Sequence, residues 1–111
     1  MKDALLKAAH KVGAHRITTR PSDRHIRVEH DGRLLAESTR AVELDETGLP
    51  TRYYLPREDV QAALEPSPTT THCPFKGDAT YYSVPGAKDA FWVYEQPDQP
   101  DAEPIKGMLA P

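Results

Sequence analysis

The sequence predicts a small, mainly β domain of about seven short strands with one short helix at its N-terminus. Three observations lead to this prediction. The dipeptide Asp31-Gly32 lies between two runs of strand type, which is typical of a β-hairpin. The chain has 11 prolines in 111 residues, roughly twice the usual share of about 5%, and their spread along the chain indicates frequent turns. Runs of aromatic and β-branched residues recur between these turns.

Length and composition fit one globular domain. The chain is 38% hydrophobic and 28% charged, and its formal net charge is −3. These values argue against a disordered chain, and the sequence has no run of about 20 apolar residues that a membrane span needs. A disulfide scaffold needs more cysteines than Cys73 alone. We divide the chain into residues 1–23, a helix and linker, and residues 24–111, a single mostly-β domain.

The N-terminus and the charge distribution predict where the protein acts. Lys7, His10 and Lys11 interrupt residues 1–12 before an apolar run of the roughly 7 to 15 residues of a secretory signal can form. We therefore expect a cytoplasmic protein, and a single cysteine agrees with a reducing compartment. The cations near the N-terminus are dispersed among apolar residues and the chain is acidic overall. We expect neither a nucleic-acid partner nor a membrane partner.

The first predicted element is a short amphipathic helix over residues 4–12. Its apolar side chains recur at helical spacing and are Leu5, Ala9 and Val12. Gly13 is a typical C-terminal stop. An apolar face of this kind suits a protein partner or a second copy of the chain. Residues 14–23 contain Pro21 and polar side chains and are predicted to be a linker.

Residues 24–38 are predicted to form a β-hairpin. A type I′ turn needs positive φ at both central positions, which Asp and Gly tolerate. With this turn, His30 pairs with Arg33 and Val28 pairs with Leu35. The apolar pair then lies on one face of the hairpin, so the pairing is consistent with one buried side.

Five further strands bring the count to seven, and they are predicted over residues 40–45, 52–55, 69–73, 79–84 and 90–94. Between them, Pro56 is predicted to open a helical turn that ends before Pro66, because two acidic residues follow where a helix N-terminus favours them. Residues 96–104 are rich in Pro and Asp and indicate a loop. A last, weak strand is predicted over residues 105–109.

Two segments carry a family resemblance, namely residues 49–60 (LPTRYYLPREDV) and residues 71–77 (THCPFKG). Together with the Asp-Gly hairpin and two aromatic pairs, Tyr81-Tyr82 and Phe91-Trp92, they closely resemble the signature of domain-of-unknown-function family 427. The resemblance implies a strand-rich fold of the β-tent kind, similar in shape to domains that hold a zinc ion or a small ligand between two sheets. Some members are labelled nucleotidyltransferase-like, but the resemblance implies no established reaction.

The candidate catalytic residues are Cys73, His72 and Lys76. A cysteine nucleophile needs a thiolate, which a nearby imidazole or cation can stabilise. Neighbouring side chains on a strand point to opposite faces, so His72 and Cys73 pair only if the strand bends before Pro74. Three interpretations therefore stay open: a structural role in the sheet, ligand binding, and nucleophilic catalysis.

Four other residues are candidates for ligand binding: Glu46, Arg52, Tyr54 and Trp92. The planar guanidinium of Arg52 suits a carboxylate or phosphate, and aromatic rings can stack on a planar ligand. The alternative is structural, since aromatic residues in strands commonly pack in the core.

We expect no metal and no other cofactor. Structural zinc needs about four ligands in closely spaced pairs of Cys or His, and this chain offers one cysteine and no such histidine spacing. Nucleotidyl transfer uses paired carboxylates beside a phosphate-binding turn, and no Gly-Ser followed by Asp-x-Asp is present. Glu43 and Asp45 share a strand face, where we expect both to be solvated.

Two functions remain open from the sequence. The first is binding of a small polar metabolite in a pocket near the turn of residues 71–77, with or without catalysis. The alternative is a non-catalytic protein-interaction domain that docks through the N-terminal helix. Convergence of the candidate residues on one concavity would favour the first function.

Overall fold

The computed structural model describes residues 15–111, and the strands dominate this part of the chain. The strands are β1 (Ile17–Pro21), β2 (Ile26–His30), β3 (Arg33–Ser38), β4 (Val42–Glu46), β5 (Arg52–Tyr54), β6 (Glu65–Cys73), β7 (Gly77–Val84), β8 (Ala87–Val93) and β9 (Leu109–Ala110). Two 3-10 helices, η1 (Arg57–Asp59) and η2 (Pro100–Ile105), precede β6 and β9. The mainly β prediction is confirmed, but the count of seven is wrong because residues 15–111 contain nine strands. The helix predicted over residues 4–12 lies outside the described residues.

The strands form three antiparallel sheets. One sheet has the order β1-β4-β5, a second consists of the β2-β3 hairpin, and the third has the order β6-β7-β8-β9. Leu55 and Leu109 join the first and third sheets, since each backbone N–H donates to the carbonyl of the other at 2.8 Å. This bridge holds β5 beside β9, so that side chains from the two larger sheets meet.

Part of the predicted linker is a strand. Residues Ile17–Pro21 form β1, which pairs with β4 from Ile17 opposite Glu46 to Pro21 opposite Val42. Three β-branched residues favour extended backbone here, and Ile17 is buried in the core. The prediction treated Pro21 as a sign of a linker, but proline is also compatible with the end of an edge strand.

The Asp-Gly hairpin is confirmed, with φ of 50° at Asp31 and 75° at Gly32. His30 pairs with Arg33 as predicted, but Val28 pairs with Ala36 rather than with Leu35. A register shift between Val28 and Glu29 places an extra residue in β3. A β-bulge of this kind lets two successive residues turn toward the core, and Leu35 and Ala36 are both buried.

The segment between Pro56 and the strand predicted over residues 69–73 also differs from expectation. The helical turn after Pro56 is limited to η1, and β6 starts at Glu65 rather than at residue 69. Pro66 and Pro68 lie inside β6, where its pairing with β7 shifts register between Pro66 and Thr70. Because β6 lies at the edge of its sheet, one side of the strand has no partner, and proline is tolerated where its missing N–H would face that side. The predicted Pro/Asp-rich loop contains η2.

Two buried clusters form the core. The first lies beside β1, β4, β5 and η2, and its buried members are Ile17, Leu44, Tyr54, Ala79, Tyr94, Ala102, Ile105 and Ala110. The second packs the hairpin against β8 and β9, and its buried members are Leu35, Ala36, Ala41, Leu55, Val84, Phe91 and Leu109. Leu55 and Leu109 belong to the second cluster, so the bridge between the larger sheets is itself buried.

We expect Gly32→Ala to destabilise the protein by about 1–2 kcal/mol, because alanine at φ +75° pays the cost of left-handed backbone. A Cβ at Gly32 would meet no atom within 4 Å, so the loss reports backbone strain alone. Asp31→Asn is the matched control, since asparagine tolerates positive φ, and its effect should stay within about 0.5 kcal/mol. Urea unfolding measures both. Equal losses in the two variants would contradict this account of the turn.

Candidate functional site

A concavity of about 200 Å³ lies between the two larger sheets. Strands β4, β5, β7 and β8, the β4–β5 loop, the β6–β7 turn and the residue after β8 contribute to it. Its lining residues are Glu46, Leu49, Arg52, Tyr54, Lys76, Tyr81, Trp92 and Tyr94. The cavity thus combines one carboxylate and two cations with four aromatic rings.

A buried ion pair forms part of the cavity wall. Lys76 Nζ donates a hydrogen bond to Oε1 of Glu46, and their side chains are 8% and 5% exposed. The second carboxylate oxygen of Glu46 lies 2.9 Å from Nε2 of His15, whose side chain is 24% exposed. Lys76, Glu46 and His15 therefore form a hydrogen-bonded chain that leads from the cavity toward solvent.

Local structure explains how this ion pair forms. Glu46 ends β4 and lies opposite Ile17 of β1. The turn after β6 folds back, so that the backbone N–H of Lys76 donates to the carbonyl of Cys73 at 3.3 Å. This turn directs Lys76 inward, while Phe75 beside it stacks on the His15 ring at a centroid distance of 3.5 Å.

Aromatic rings and one exposed cation form another part of the wall. Arg52 and Tyr54 are two residues apart on β5 and so share a face. Trp92 Nε1 donates a hydrogen bond to the Tyr54 hydroxyl at 3.2 Å, and the two rings meet edge to face. The Arg52 guanidinium carbon lies 5.8 Å from the centre of the Trp92 ring, within the range of a cation–π contact.

The cavity environment disfavours ionised phenols. Burial raises the pKa of Tyr54 to about 12, and the hydrogen bond from Trp92 offsets only part of this effect. Burial also raises the pKa of Tyr94, whose ring lies 5.6 Å from Lys76 Nζ. Both hydroxyls therefore stay neutral at physiological pH and remain able to donate or accept hydrogen bonds.

We expect the free energy of unfolding to fall as the pH rises from about 10 to about 12. Over this range Tyr54 ionises in the unfolded chain but stays protonated in the folded one, so the unfolded state is favoured. Below pH 10 Tyr54 is protonated in both states and contributes no slope. Urea unfolding at a series of pH values measures the effect. Tyr54→Phe should reduce the slope, and an unchanged slope would contradict the assignment.

The structure brings five of the seven predicted site residues together and leaves two outside the cavity lining. His72 is 65% exposed and its Nδ1 lies 2.7 Å from the Asp78 carboxylate. Cys73 is half-buried and packs against the first core cluster. The catalytic roles suggested for Cys73, His72 and Lys76 stay predictions.

Other residues at the site did not stand out in the sequence. Tyr94 follows directly after β8 and Leu49 lies in the β4–β5 loop, where spacing gives no signal. His15 falls in the segment predicted to be a linker.

Glu43, which we expected to be solvated, is 7% exposed. It accepts a hydrogen bond from Ser22 at 2.7 Å and pairs with Arg20, because β1 covers this side of β4.

Residues 15–111 contain no group of three or more His, Cys, Asp or Glu side chains placed to hold a metal ion. The expectation that no metal is needed stays a prediction. Among the described residues, no helix is long and apolar enough to cross a membrane.

Comparison with known proteins identifies the family. No curated protein matches the chain. The family described as a domain of unknown function, DUF427, matches residues 18–111. This match covers both larger sheets except Ile17 and includes every residue that lines the cavity, and it confirms the resemblance carried by residues 49–60 and 71–77. The chain therefore belongs to the DUF427 family of domains of unknown function.

Proposed function

We propose that this domain binds a small, planar, anionic metabolite in the cavity between its two larger sheets. The observation that carries the proposal is the convergence of Arg52, Tyr54, Lys76 and Trp92 on one concavity from elements far apart in the sequence. A lining of aromatic groups with a few polar groups is typical of small-molecule sites. The β-tent likeness, in which a ligand lies between two sheets, and a cytoplasmic location belong to this proposal.

The charges at the cavity favour an anion. Lys76 and Glu46 form a pair, so their charges largely offset each other. Arg52 lines the cavity and is exposed, and no carboxylate of residues 15–111 forms an ion pair with it, so it contributes a net positive charge there. A guanidinium presents two parallel N–H donors that match a carboxylate or phosphate. We assign Arg52 the role of binding the anionic group.

The cavity walls favour a flat ligand of modest size. A volume of about 200 Å³ is below the range of roughly 300–1,000 Å³ for drug-sized ligands. Trp92 and the cavity tyrosines offer aromatic surface, on which a planar group packs by offset or edge-to-face contact. The hydroxyls of Tyr54 and Tyr94 are neutral and supply polar contacts without adding charge. A compact aromatic or conjugated carboxylate has this chemistry.

Fluorescence of Trp92 tests the proposal, since it is the only tryptophan in the chain and lines the cavity. Benzoate is the probe, and benzamide is a control of the same shape without charge. We expect benzoate to change the Trp92 emission in a saturable way. Benzamide should bind at least about tenfold more weakly, a difference in binding free energy of about 1.4 kcal/mol. Equal titration curves for the two compounds would contradict recognition of an anion.

A variant pair locates the binding group. Arg52→Gln should weaken benzoate binding by about tenfold or more, as expected when one charged hydrogen-bonding partner worth about 1.5–3 kcal/mol is lost. Lys88→Gln is the control, because Lys88 is exposed on β8 and does not line the cavity. The proposal requires Lys88→Gln to bind benzoate like the parent. If both variants lose affinity equally, the anion is held by overall charge rather than by Arg52.

A further inference from the structure

The Lys76 amine is chemically distinct from the other lysines in the described part of the chain. Residues 15–111 contain Lys76, Lys88 and Lys106, and only Lys76 is buried. Lys76 lines the cavity, and its Nζ lies 5.6 Å from the ring centre of Tyr94, another lining residue. Lysine amines form Schiff bases with carbonyl compounds, and Lys76 is in hydrogen-bond contact with a carboxylate that can accept its proton.

The groups around Lys76 provide a place for its proton. The ammonium donates to Oε1 of Glu46, and the other oxygen of this carboxylate contacts His15 Nε2 at 2.9 Å. Glu46 can take a proton from Lys76 on one side, and His15, which is partly exposed, can exchange a proton with solvent on the other. The neutral amine that attacks a carbonyl can therefore form when the Lys76 ammonium passes one proton to Glu46, to which it is already hydrogen-bonded.

We propose that Lys76 forms a reversible imine with a small carbonyl compound that carries a carboxylate, such as a 2-oxo acid or an aromatic aldehyde acid. This inference rests on the proposed function, because Arg52 would hold the carboxylate while the carbonyl faces Lys76. It names the class of ligand more narrowly, as one with both an anionic and an electrophilic group.

The reaction balances without an oxidant or a reductant. The Lys76 ammonium gives one proton to Glu46, and the electron pair of the neutral amine forms a bond to the carbonyl carbon. A second proton moves from Nζ to the former carbonyl oxygen, which gives a carbinolamine. Glu46 returns its proton to the hydroxyl, which leaves as water, and the nitrogen electron pair forms the C=N bond in place of the broken C–O bond. The net change is ammonium plus carbonyl to protonated imine plus water, and Glu46 ends as the carboxylate it was at the start.

Reductive trapping on the intact protein tests this inference. The protein is incubated with glyoxylate or 4-carboxybenzaldehyde, in which the carbonyl is adjacent to the carboxylate or separated from it by a ring, and then treated with borohydride. Peptide mass spectrometry measures the reduced adduct at each lysine. For at least one probe we expect the adduct at Lys76 to exceed those at Lys88 and Lys106 on the order of tenfold or more, because binding places the reactants together.

Lys76→Arg is the informative variant, since arginine keeps the positive charge beside Glu46 but has no primary amine. It should lose the dominant adduct and leave minor adducts at the exposed lysines unchanged. The site-resolved measurement on the parent protein decides the question even if this variant fails to fold. Adducts spread evenly over the lysines, or absent altogether, would overturn the inference.

Benzoate binding and reductive trapping in Arg52→Gln separate this inference from the proposed function. If benzoate binds but neither aldehyde modifies Lys76, the anion site stands and the imine is wrong. If Lys76 is modified selectively but Arg52→Gln reacts equally well, the imine stands and recognition of the carboxylate by Arg52 is wrong. Addition of benzoate should protect Lys76 from trapping, and failure to protect would show that the two events use different sites.

Discussion

Replacement of Glu46 by alanine is expected to lower the free energy of unfolding by about 3–5 kcal/mol, the cost of removing one partner from a buried ion pair. The side chains of Lys76 and Glu46 are both less than 10% exposed. Without the carboxylate, the Lys76 ammonium would stay buried with no opposite charge in contact. Chemical denaturation monitored by circular dichroism measures the loss.

Glu95→Ala is the matched control for this prediction. Glu95 pairs with Arg57 at 3.2 Å, but these side chains are 47% and 41% exposed. An exposed pair contributes about 0–1 kcal/mol because water screens both charges. The joint variant Glu46→Leu with Lys76→Met should regain much of the stability lost in Glu46→Ala, since no unpaired charge is left. A loss for Glu46→Ala as small as that for Glu95→Ala would show that the pair is effectively solvated.

Phe91→Ala is expected to cost about 3–5 kcal/mol, as is typical for removing a fully buried aromatic side chain. Phe91 is 0% exposed and belongs to the second core cluster, which also contains the bridge residues Leu55 and Leu109. A cavity at this position removes contacts that hold the hairpin and the four-stranded sheet together. The midpoint of urea unfolding measures the effect.

The other phenylalanine provides the control. Phe75 is 39% exposed and stacks on His15 at the β6–β7 turn. Phe75→Ala leaves no closed cavity, so its effect should be about 1 kcal/mol or less, near the range for surface positions. Similar losses of unfolding free energy for Phe91→Ala and Phe75→Ala would contradict the placement of Phe91 in a closely packed core cluster.

The turn of the hairpin could be predicted from the sequence, but the register of its two strands could be predicted only in part. Asp31-Gly32 predicted the turn because its positive φ values depend on these two residues alone. The partner of Val28 depends on the bulge, and the bulge forms because Leu35 and Ala36 both gain burial against other strands. Such a gain involves residues far along the chain, so no local pattern predicts it.

The strands after the hairpin show the same division. Aromatic and β-branched runs predicted β7 and β8 within a few residues. The next strand was predicted to begin only at residue 69, yet β6 begins at Glu65 and runs through Pro66 and Pro68 as an edge strand. Whether a proline is tolerated depends on which side of the strand lacks a partner, and sheet order decides that.

At the candidate site, the sequence indicated which residue types could bind a ligand, but not which of these residues would line one cavity. Arg52 was a candidate because its guanidinium suits a carboxylate or phosphate, and Tyr54 and Trp92 were candidates because aromatic rings can stack on a planar ligand. Cys73, His72 and Lys76 were candidates because a thiol, an imidazole and a cation lie close together in the sequence. The alternation of side chains along β6 gives these two residues separate surroundings, and only the turn after β6 directs Lys76 into the cavity.

The sequence by itself determined the mainly β class, the Asp-Gly turn and the family, because these depend on local backbone preferences and on residues that stand close together in the chain. Only the tertiary structure decided that Ile17–Pro21 is a strand, that Glu46 and Lys76 pair, and that a cavity lies between the two larger sheets. The physical reason is that burial and charge pairing join residues about 30 positions apart. Their free energy depends on the assembled core, which no short segment contains.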